Sequence, residues 1–116
     1  MRDYRLYLKD ILSAIESIER FVEGMSQESF TADDKTSSAV IRKLEVIGEA
    51  ARHIPDDIRA AHPQVPWSEM AGMRDRLIHA YFGVDYGLVW ETIKERIPLV
   101  KPLIQSILEG GDQFTR

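Results

Sequence analysis

The feature that most constrains the fold of this chain is a repeated three- and four-residue spacing between apolar side chains. Three stretches carry it: Tyr4, Leu8, Ile11, Ile15, Ile18 and Val22; Val40, Leu44, Ile47, Ala51 and Ile54; and Val89, Ile93, Ile97, Val100, Ile104 and Ile107. Because an α-helix turns once in 3.6 residues, each set forms an apolar stripe along one helical face. No alternating strand pattern and no Asn-Gly hairpin signal occurs. The sequence therefore predicts an all-α fold.

Residues with strong capping preferences indicate where these helices begin and end. Asp3 is a plausible N-cap of the first helix and Gly24 a plausible stop. Thr31, three residues before Asp34, resembles an acidic capping box ahead of the second helix, and Pro55 ends that helix. Gly48 lies inside the second helix, where its cost of about 1 kcal/mol relative to Ala predicts close approach of another helix.

The second half of the chain is more interrupted. We expect one short helix over residues 56–61. A further helical segment is expected to start at Trp67 and to break or restart at Gly72. After that break, Met73, Leu77 and Tyr81 would share one face. Gly83 and Asp85 are typical of a helix stop and an N-cap, respectively. Pro98 and Pro102 must kink or split the last helix, and Gly110-Gly111 ends it. We expect one domain over residues 1–116, with four main helices plus a short one in an antiparallel bundle and a frayed tail at 111–116.

Composition narrows the class of protein. The chain has no cysteine, no apolar run near the ~18 residues of a membrane span and no signal peptide, so we expect a cytoplasmic protein without membrane association. The formal net charge of −4 argues against a broadly basic RNA-coating surface. Residues 1–34 hold eight acids and four bases, and the remainder holds eleven of each, so the excess acid lies in the first third.

One histidine stands in a group of polar residues that suggests chemistry. A lone histidine is usually structural, as His53 before Pro55 and His62 before a proline are expected to be. His79 differs, because on a continuous helix Asp75 would be its i,i+4 neighbour and Arg76 its i,i+3 neighbour. On the same helix Arg74 and Tyr81, seven residues apart, would share a face. Asp75 could then fix the tautomer of His79 and raise the basicity of its free ring nitrogen.

This group of residues limits what a single chain could catalyse. RNA cleavage without a metal needs a base, an acid and a cation for the charged phosphorane. One histidine cannot be acid and base in the same step, but two copies related by a twofold axis would supply two histidines and two arginines. Three scattered histidines and no cysteine give no zinc spacing, so we expect no metal site and no cofactor.

The segment around these residues resembles a known family. Arg74, His79 and Tyr81 stand in the order Arg-x4-His-x-Tyr within residues 72–85, which is similar to the signature of HepT-like toxins of the HEPN superfamily. Further similar segments are Arg2-Asp3-Tyr4, Ile47-Gly48-Glu49-Ala50, Pro66-Trp67 and Val89-Trp90-Glu91-Thr92. The resemblance covers nearly the whole chain.

The resemblance implies a HEPN-like helical homodimer whose two motifs line one cleft. It also implies a metal-independent endoribonuclease, the toxin of a type II toxin–antitoxin system, with Arg74 and His79 catalytic. Asp75 would fill the polar position that follows the arginine, and Tyr81 would be AMPylated by a MntA-like nucleotidyltransferase antitoxin. A phosphate-contact role for Arg76 is our own hypothesis. The alternative is a catalytically weak helical dimer that binds a nucleotidyltransferase partner or nucleotide, which the acidity of the chain favours.

Overall fold

The structure is a computed structural model that describes residues 2–79 and 83–114, with the backbone alone for His79 and residues 111–114. Its helices are α1 (Tyr4–Phe21), α2 (Gln27–Ala32), α3 (Asp34–Arg52), α4 (Asp56–Ala61), α5 (Trp67–Ala71), α6 (Met73–Leu77), α7 (Tyr86–Glu91), a π-helical segment (Thr92–Arg96) and α8 (Ile97–Phe114). Two short strands, β1 (Ile78–His79) and β2 (Gly83–Val84), lie between α6 and α7. The chain is mostly helical, as predicted. Across the described part of the chain, no helix is both long enough and apolar enough to cross a membrane.

The three apolar stripes form the hydrophobic core. Every stripe residue except Tyr4 is buried, and Tyr4 packs against the cluster as a partly exposed side chain. The cluster also takes in Phe30 from α2 and Trp67, Met70, Met73 and Leu77 from the middle of the chain. Removing so much apolar surface from water provides the main force that holds the helices together.

Helices α1 and α8 run antiparallel. Near the start of α1, the guanidinium of Arg5 donates to the carbonyl oxygen of Leu108 at 2.9 Å, close to the end of α8. Near the end of α1, the carboxylate of Glu19 accepts from Lys101 at 2.8 Å, close to the start of α8. The latter pair raises the pKa of Lys101 above its ordinary value, chiefly through the hydrogen bond to Glu19. These two contacts fix the antiparallel arrangement of α1 and α8.

Helix α3 packs between α1 and α5. The rings of Tyr7 near the start of α1 and His53 at the end of α3 stack with centroids 5.0 Å apart, so these helices also run antiparallel. On the other side, a Cβ at Gly48 would lie 3.1 Å from the carbonyl oxygen of Met70 and 3.6 Å from that of Ala71. The close helix approach predicted at Gly48 is therefore confirmed, and the neighbour is α5.

The fourth main helix that the sequence predicts is not continuous. The break at Gly72 is confirmed, and it separates two five-residue helices, α5 and α6. After Leu77 the chain becomes extended at Ile78, where φ is −121° and ψ is 119°. The described residues therefore contain three long helical stretches: α1, α3 and the continuous run of α7, the π-helical segment and α8. The prediction of four main helices is not confirmed.

The continuous helical run from α7 to α8 contains Pro98 and Pro102 without being interrupted by either. The segment before Pro98 is π-helical, and the backbone N–H of Ile97 donates to the carbonyl of Thr92, five residues back. Pro102 lies within α8, which continues to Phe114 and does not end at Gly110-Gly111 as predicted. The predicted tail at 111–116 is thus helical in its backbone as far as Phe114, and residues 115 and 116 lie outside the described residues.

Candidate active site

The predicted catalytic arginine and both supporting residues lie together on the short helix α6. Arg74, Asp75 and Arg76 are all exposed, whereas Met73 and Leu77 at its two ends are buried in the core. A five-residue helix has little stability of its own, so these two anchors hold α6 in place. The helix therefore presents three charged side chains to solvent from a position fixed by packing.

A reversal of the chain follows α6 at once. Strand β1 pairs antiparallel with β2, with Ile78 opposite Val84 and His79 opposite Gly83. The backbone N–H of Asp85 donates to the carbonyl of Leu77 at 3.0 Å and closes this hairpin onto the end of α6. The predicted i,i+4 pairing of Asp75 with His79 on one helix is therefore wrong, because the helix ends two residues before the histidine.

The same chain reversal also removes the reason for expecting Tyr81 on the same helical face as Arg74. The predicted shared face of Arg74 and Tyr81 required a helix that continues through residue 81, and α6 ends at Leu77. Tyr81 itself lies outside the described residues, as does the side chain of His79. Among the site residues, the structure therefore places the side chains of Arg74, Asp75 and Arg76 and the backbone of His79.

Arg74 is paired with a residue that sequence reasoning did not single out. Its Nε donates to Oε2 of Glu45 on α3 at 2.8 Å. Its Nη1 lies 3.9 Å from Oδ1 of Asp75, which is within ion-pair range but beyond a hydrogen bond. The guanidinium is thus held along its Nε edge, and about half of the Arg74 side chain (54%) remains exposed.

Arg76 belongs to a different cluster. Its Nη1 contacts Glu69 of α5 at 3.4 Å, and the other carboxylate oxygen of Glu69 accepts from Arg96 of the π-helical segment. Because residues two apart on a helix are rotated by about 200°, Arg74 and Arg76 face different neighbours. Residues around this second cluster line an open cleft of about 450 Å³: Glu69, Arg76, Leu88, Glu91, Thr92 and Arg96.

The other two histidines have structural surroundings, as predicted. His53 caps the end of α3, stacks on Tyr7, and places Nε2 3.2 Å from a carboxylate oxygen of Glu49. His62 caps the end of α4, and its carbonyl accepts from the indole N–H of Trp67 at 3.0 Å. Within residues 2–79 and 83–114, no group of three histidine or carboxylate side chains is placed to hold a metal ion.

Comparison with known proteins identifies the family. The model of the family described as "Ribonuclease HepT-like" matches residues 11–107, a range that includes the core of α1, all of α3 and the whole segment from Arg74 to Tyr81. The chain belongs to the HepT-like ribonuclease family. The family and the ribonuclease class predicted from the Arg-x4-His-x-Tyr segment are thereby confirmed.

Individual HepT-like relatives match over almost their full lengths. A "Probable ribonuclease HepT" of Thermococcus cleftensis is 55% identical over 106 residues, which cover 91% of this chain and 96% of the relative. A "Putative RNase" of Methanocaldococcus jannaschii is 50% identical, with 97% of each chain covered. Another protein of that name, from Caldanaerobacter subterraneus subsp. tengcongensis, is 45% identical, covering 94% of this chain and 97% of its own. No solved structure matches the chain.

Within this HepT-like chain, the partners of the two arginines were missed by sequence reasoning. Glu45 lies 29 residues before Arg74, so no local spacing rule connects the two. Glu69 lies only seven residues before Arg76, but the break at Gly72 puts it on a different helix, so helical spacing does not predict that contact either. Only the buried face of α3, with Leu44 and Ile47 around Glu45, indicates that this carboxylate sits on an element fixed in the core.

Proposed function

We propose that this chain is the toxin of a type II toxin–antitoxin system, a metal-independent endoribonuclease that works as a homodimer in the cytoplasm. The observation that carries the proposal is the environment of Arg74. Arg74 is an exposed cation that Glu45 holds through its Nε edge. The chain reverses direction soon after it, in a hairpin whose first strand contains His79, five residues after Arg74. Membership of the HepT-like ribonuclease family supports RNA as the substrate.

Arg74 is suited to stabilise the transition state. Attack on a phosphodiester produces a phosphorane with extra negative charge on its non-bridging oxygens, and a guanidinium can bind two such oxygens through parallel N–H groups. The Nε edge of Arg74 is used by Glu45, so the Nη groups are the donors that face a phosphate. Asp75 and Arg76 support the site: Asp75 as the polar residue beside Arg74, and Arg76 as a phosphate contact at its edge.

His79 supplies the proton transfers. One imidazole takes the proton of the ribose 2′-hydroxyl while its oxygen attacks phosphorus, and a protonated imidazole gives a proton to the departing 5′-oxygen. The products are a 2′,3′-cyclic phosphate and a 5′-hydroxyl, with no net gain or loss of protons. Because a single His79 cannot fill both roles in one step, we propose that two chains form a HEPN-like dimer with both copies of the motif in one composite cleft.

The partner proposed for silencing is a MntA-like nucleotidyltransferase antitoxin that AMPylates Tyr81. Tyr81 stands two residues after His79 in the segment that follows β1. An AMP group there would add bulk and a negative phosphate within a few residues of the catalytic pair. Both effects oppose the entry of an RNA phosphate.

A second function is favoured by the charge pairing at the site. Arg74 is paired with Glu45, and Arg76 shares Glu69 with Arg96, so the motif offers less free positive charge than its sequence suggests. This pairing of the arginines with carboxylates would fit a helical dimer that binds a nucleotidyltransferase or nucleotide and cleaves RNA weakly or not at all.

RNA cleavage in EDTA separates the two functions. Purified wild-type protein, Arg74→Ala and His79→Ala are incubated with tRNA and mRNA, and the product ends are analysed. We expect cleavage by the wild type that leaves 2′,3′-cyclic phosphates, and a loss of at least about 100-fold in each variant. Absence of cleavage by the wild type, or equal cleavage by all three proteins, would count against the enzyme and favour the binding module.

Silencing through Tyr81 is tested with the antitoxin and ATP. We expect wild-type protein to gain AMP by mass spectrometry and to lose ribonuclease activity, whereas Tyr81→Phe keeps its activity under the same treatment. Tyr86→Phe, a change of the same kind at the start of α7, serves as the control and should still be silenced. A Tyr81→Phe protein that the antitoxin silences completely would refute this part of the proposal.

A further inference from the structure

We propose that Glu45 is a positioning residue for the ribonuclease reaction: it accepts a hydrogen bond from Nε of Arg74 and so orients the guanidinium toward the phosphate. This inference rests on the proposed function, because it concerns how Arg74 is aimed during cleavage. The distance from Nε to Oε2 is 2.8 Å, the usual length of a charge-assisted hydrogen bond.

Both ends of this contact are fixed in the core. Glu45 lies on α3 between Leu44 and Ile47, whose side chains are 1% and 0% exposed. Arg74 lies on α6 next to Met73, which is also buried. The hydrogen bond therefore joins two anchored helices and restricts an arginine side chain that is otherwise more than half exposed.

The choice of nitrogen is what makes the contact useful. A guanidinium has five N–H groups in one plane, and Nε carries one of them. With Nε bound to Glu45, the four Nη hydrogens remain, and among the described residues the Nη groups make no hydrogen bond; Nη1 lies 3.9 Å from the carboxylate of Asp75. A fixed plane with free outer donors suits two phosphate oxygens, whereas an untethered side chain loses rotamer freedom each time it binds.

Glu45 could instead simply mask the charge of Arg74, and the two roles differ in what its removal does. If the carboxylate only competes with RNA, then removing it should strengthen binding and leave turnover unchanged or raised. If it positions Arg74, removal should lower kcat because the cation is no longer aimed at the transition state. The Arg74 side chain is 54% exposed and that of Glu45 29% exposed, and an ion pair so close to solvent contributes little to folding stability. A large effect on kcat would therefore not come from unfolding.

The test compares Glu45→Ala, Glu45→Gln and Glu49→Ala in steady-state cleavage of one RNA. Glu49 is the matched control, because it lies one turn further along α3 and its loss removes the same charge. We expect Glu45→Ala to lower kcat by about 10- to 100-fold with KM changed by less than about threefold. Glu45→Gln keeps an acceptor oxygen for Nε–H and should stay within about threefold of wild type, as should Glu49→Ala.

A double-mutant cycle adds a readout that a structural role would not give. In the Arg74→Ala background, Glu45→Ala should cause no further loss, since the two side chains act as one unit. Thermal melting of each variant checks that it is folded. The inference is overturned if Glu45→Ala keeps or exceeds wild-type kcat, if Glu45→Gln falls as far as Glu45→Ala, or if Glu49→Ala falls equally.

Comparing wild type, Arg74→Ala and Glu45→Ala also separates this inference from the proposed function. If the wild type and Arg74→Ala cleave equally, or neither cleaves, then the proposed function fails and the inference fails with it. If Arg74→Ala is inactive while Glu45→Ala turns over like wild type, only the inference fails.

Discussion

Gly48 lies where α3 meets the C-terminal carbonyls of α5. The position of a Cβ there, 3.1 Å from the carbonyl oxygen of Met70, is closer than ordinary van der Waals contact. Since the neighbouring atom belongs to a helix backbone and not to a flexible side chain, it cannot move away cheaply. The glycine thus lets α5, the helix before α6, pack directly on α3, one turn from Glu45.

We predict opposite effects for alanine at two helical glycines. Gly87→Ala in α7 places its Cβ at ordinary contact distances of 3.6 and 3.7 Å, so it should stabilise the fold by up to about 1 kcal/mol through helix propensity. Gly48→Ala should gain the same helix propensity but overpack against the carbonyl oxygen of Met70. We therefore expect its free energy of unfolding to be at least about 1 kcal/mol lower than that of Gly87→Ala. Urea unfolding of both variants measures the difference; equal stabilisation at the two sites would contradict the close approach.

Capping residues show where sequence reasoning succeeds and where it fails at this scale. Asp3 and Asp85 accept from the backbone N–H groups of Arg5 and Leu88, as predicted. For α3 the cap is Asp33 and not Thr31, because Thr31 is already inside α2. Hydrogen bonds from the backbone N–H and the hydroxyl of Thr36 hold the pKa of Asp33 below its ordinary value, which is the mark of an ionised cap.

At the scale of elements, the structure contains a short helix, α2, that the sequence did not predict. Ser26 and Ser29 form the reciprocal capping box that starts it. Phe30 of α2 is fully buried, and its ring lies 5.3 Å from that of Trp90. The burial of this one aromatic side chain explains why a six-residue polar stretch is helical at all.

The most consequential change of element is the hairpin after α6. Residues 73–81 carry a helical apolar spacing, yet the chain leaves the helix at Ile78 and pairs with Gly83 and Val84. Gly83 adopts a φ of 81°, a conformation that glycine tolerates and that continues no helix. A helical wheel drawn through His79 therefore gives wrong neighbours for the histidine, because the helix ends at Leu77.

At the scale of the whole molecule, each chain carries one Arg74, which is ion-paired with Glu45. The excess acid of residues 1–34 falls on α1, α2 and the start of α3, while the motif is carried by α6 and the hairpin. A second chain would double the arginines at the cleft without changing the net charge per chain.

We predict that activity requires two intact copies of His79. Heterodimers of wild type and His79→Ala, isolated through two different affinity tags, should cleave at least about 50-fold more slowly than a wild-type dimer carrying the same two tags, because acid and base catalysis each contribute about 100-fold or more. Sedimentation analysis confirms that each sample is dimeric. A heterodimer with half of the wild-type rate, or a monomer with full activity, would show that one chain contains a complete site.

The sequence alone determined the all-α class, the buried stripes, the break at Gly72, the approach at Gly48 and the family, because these depend on local periodicity, local backbone preference and a contiguous motif. The tertiary structure decided the partners of Arg74 and Arg76 and the path of the chain through His79. Those features depend on contacts such as Glu45 to Arg74 and the Leu77 carbonyl to the Asp85 N–H, which join residues far apart in the chain or compete with local helix formation. Such contacts form only once the core has brought α3, α5 and α6 together.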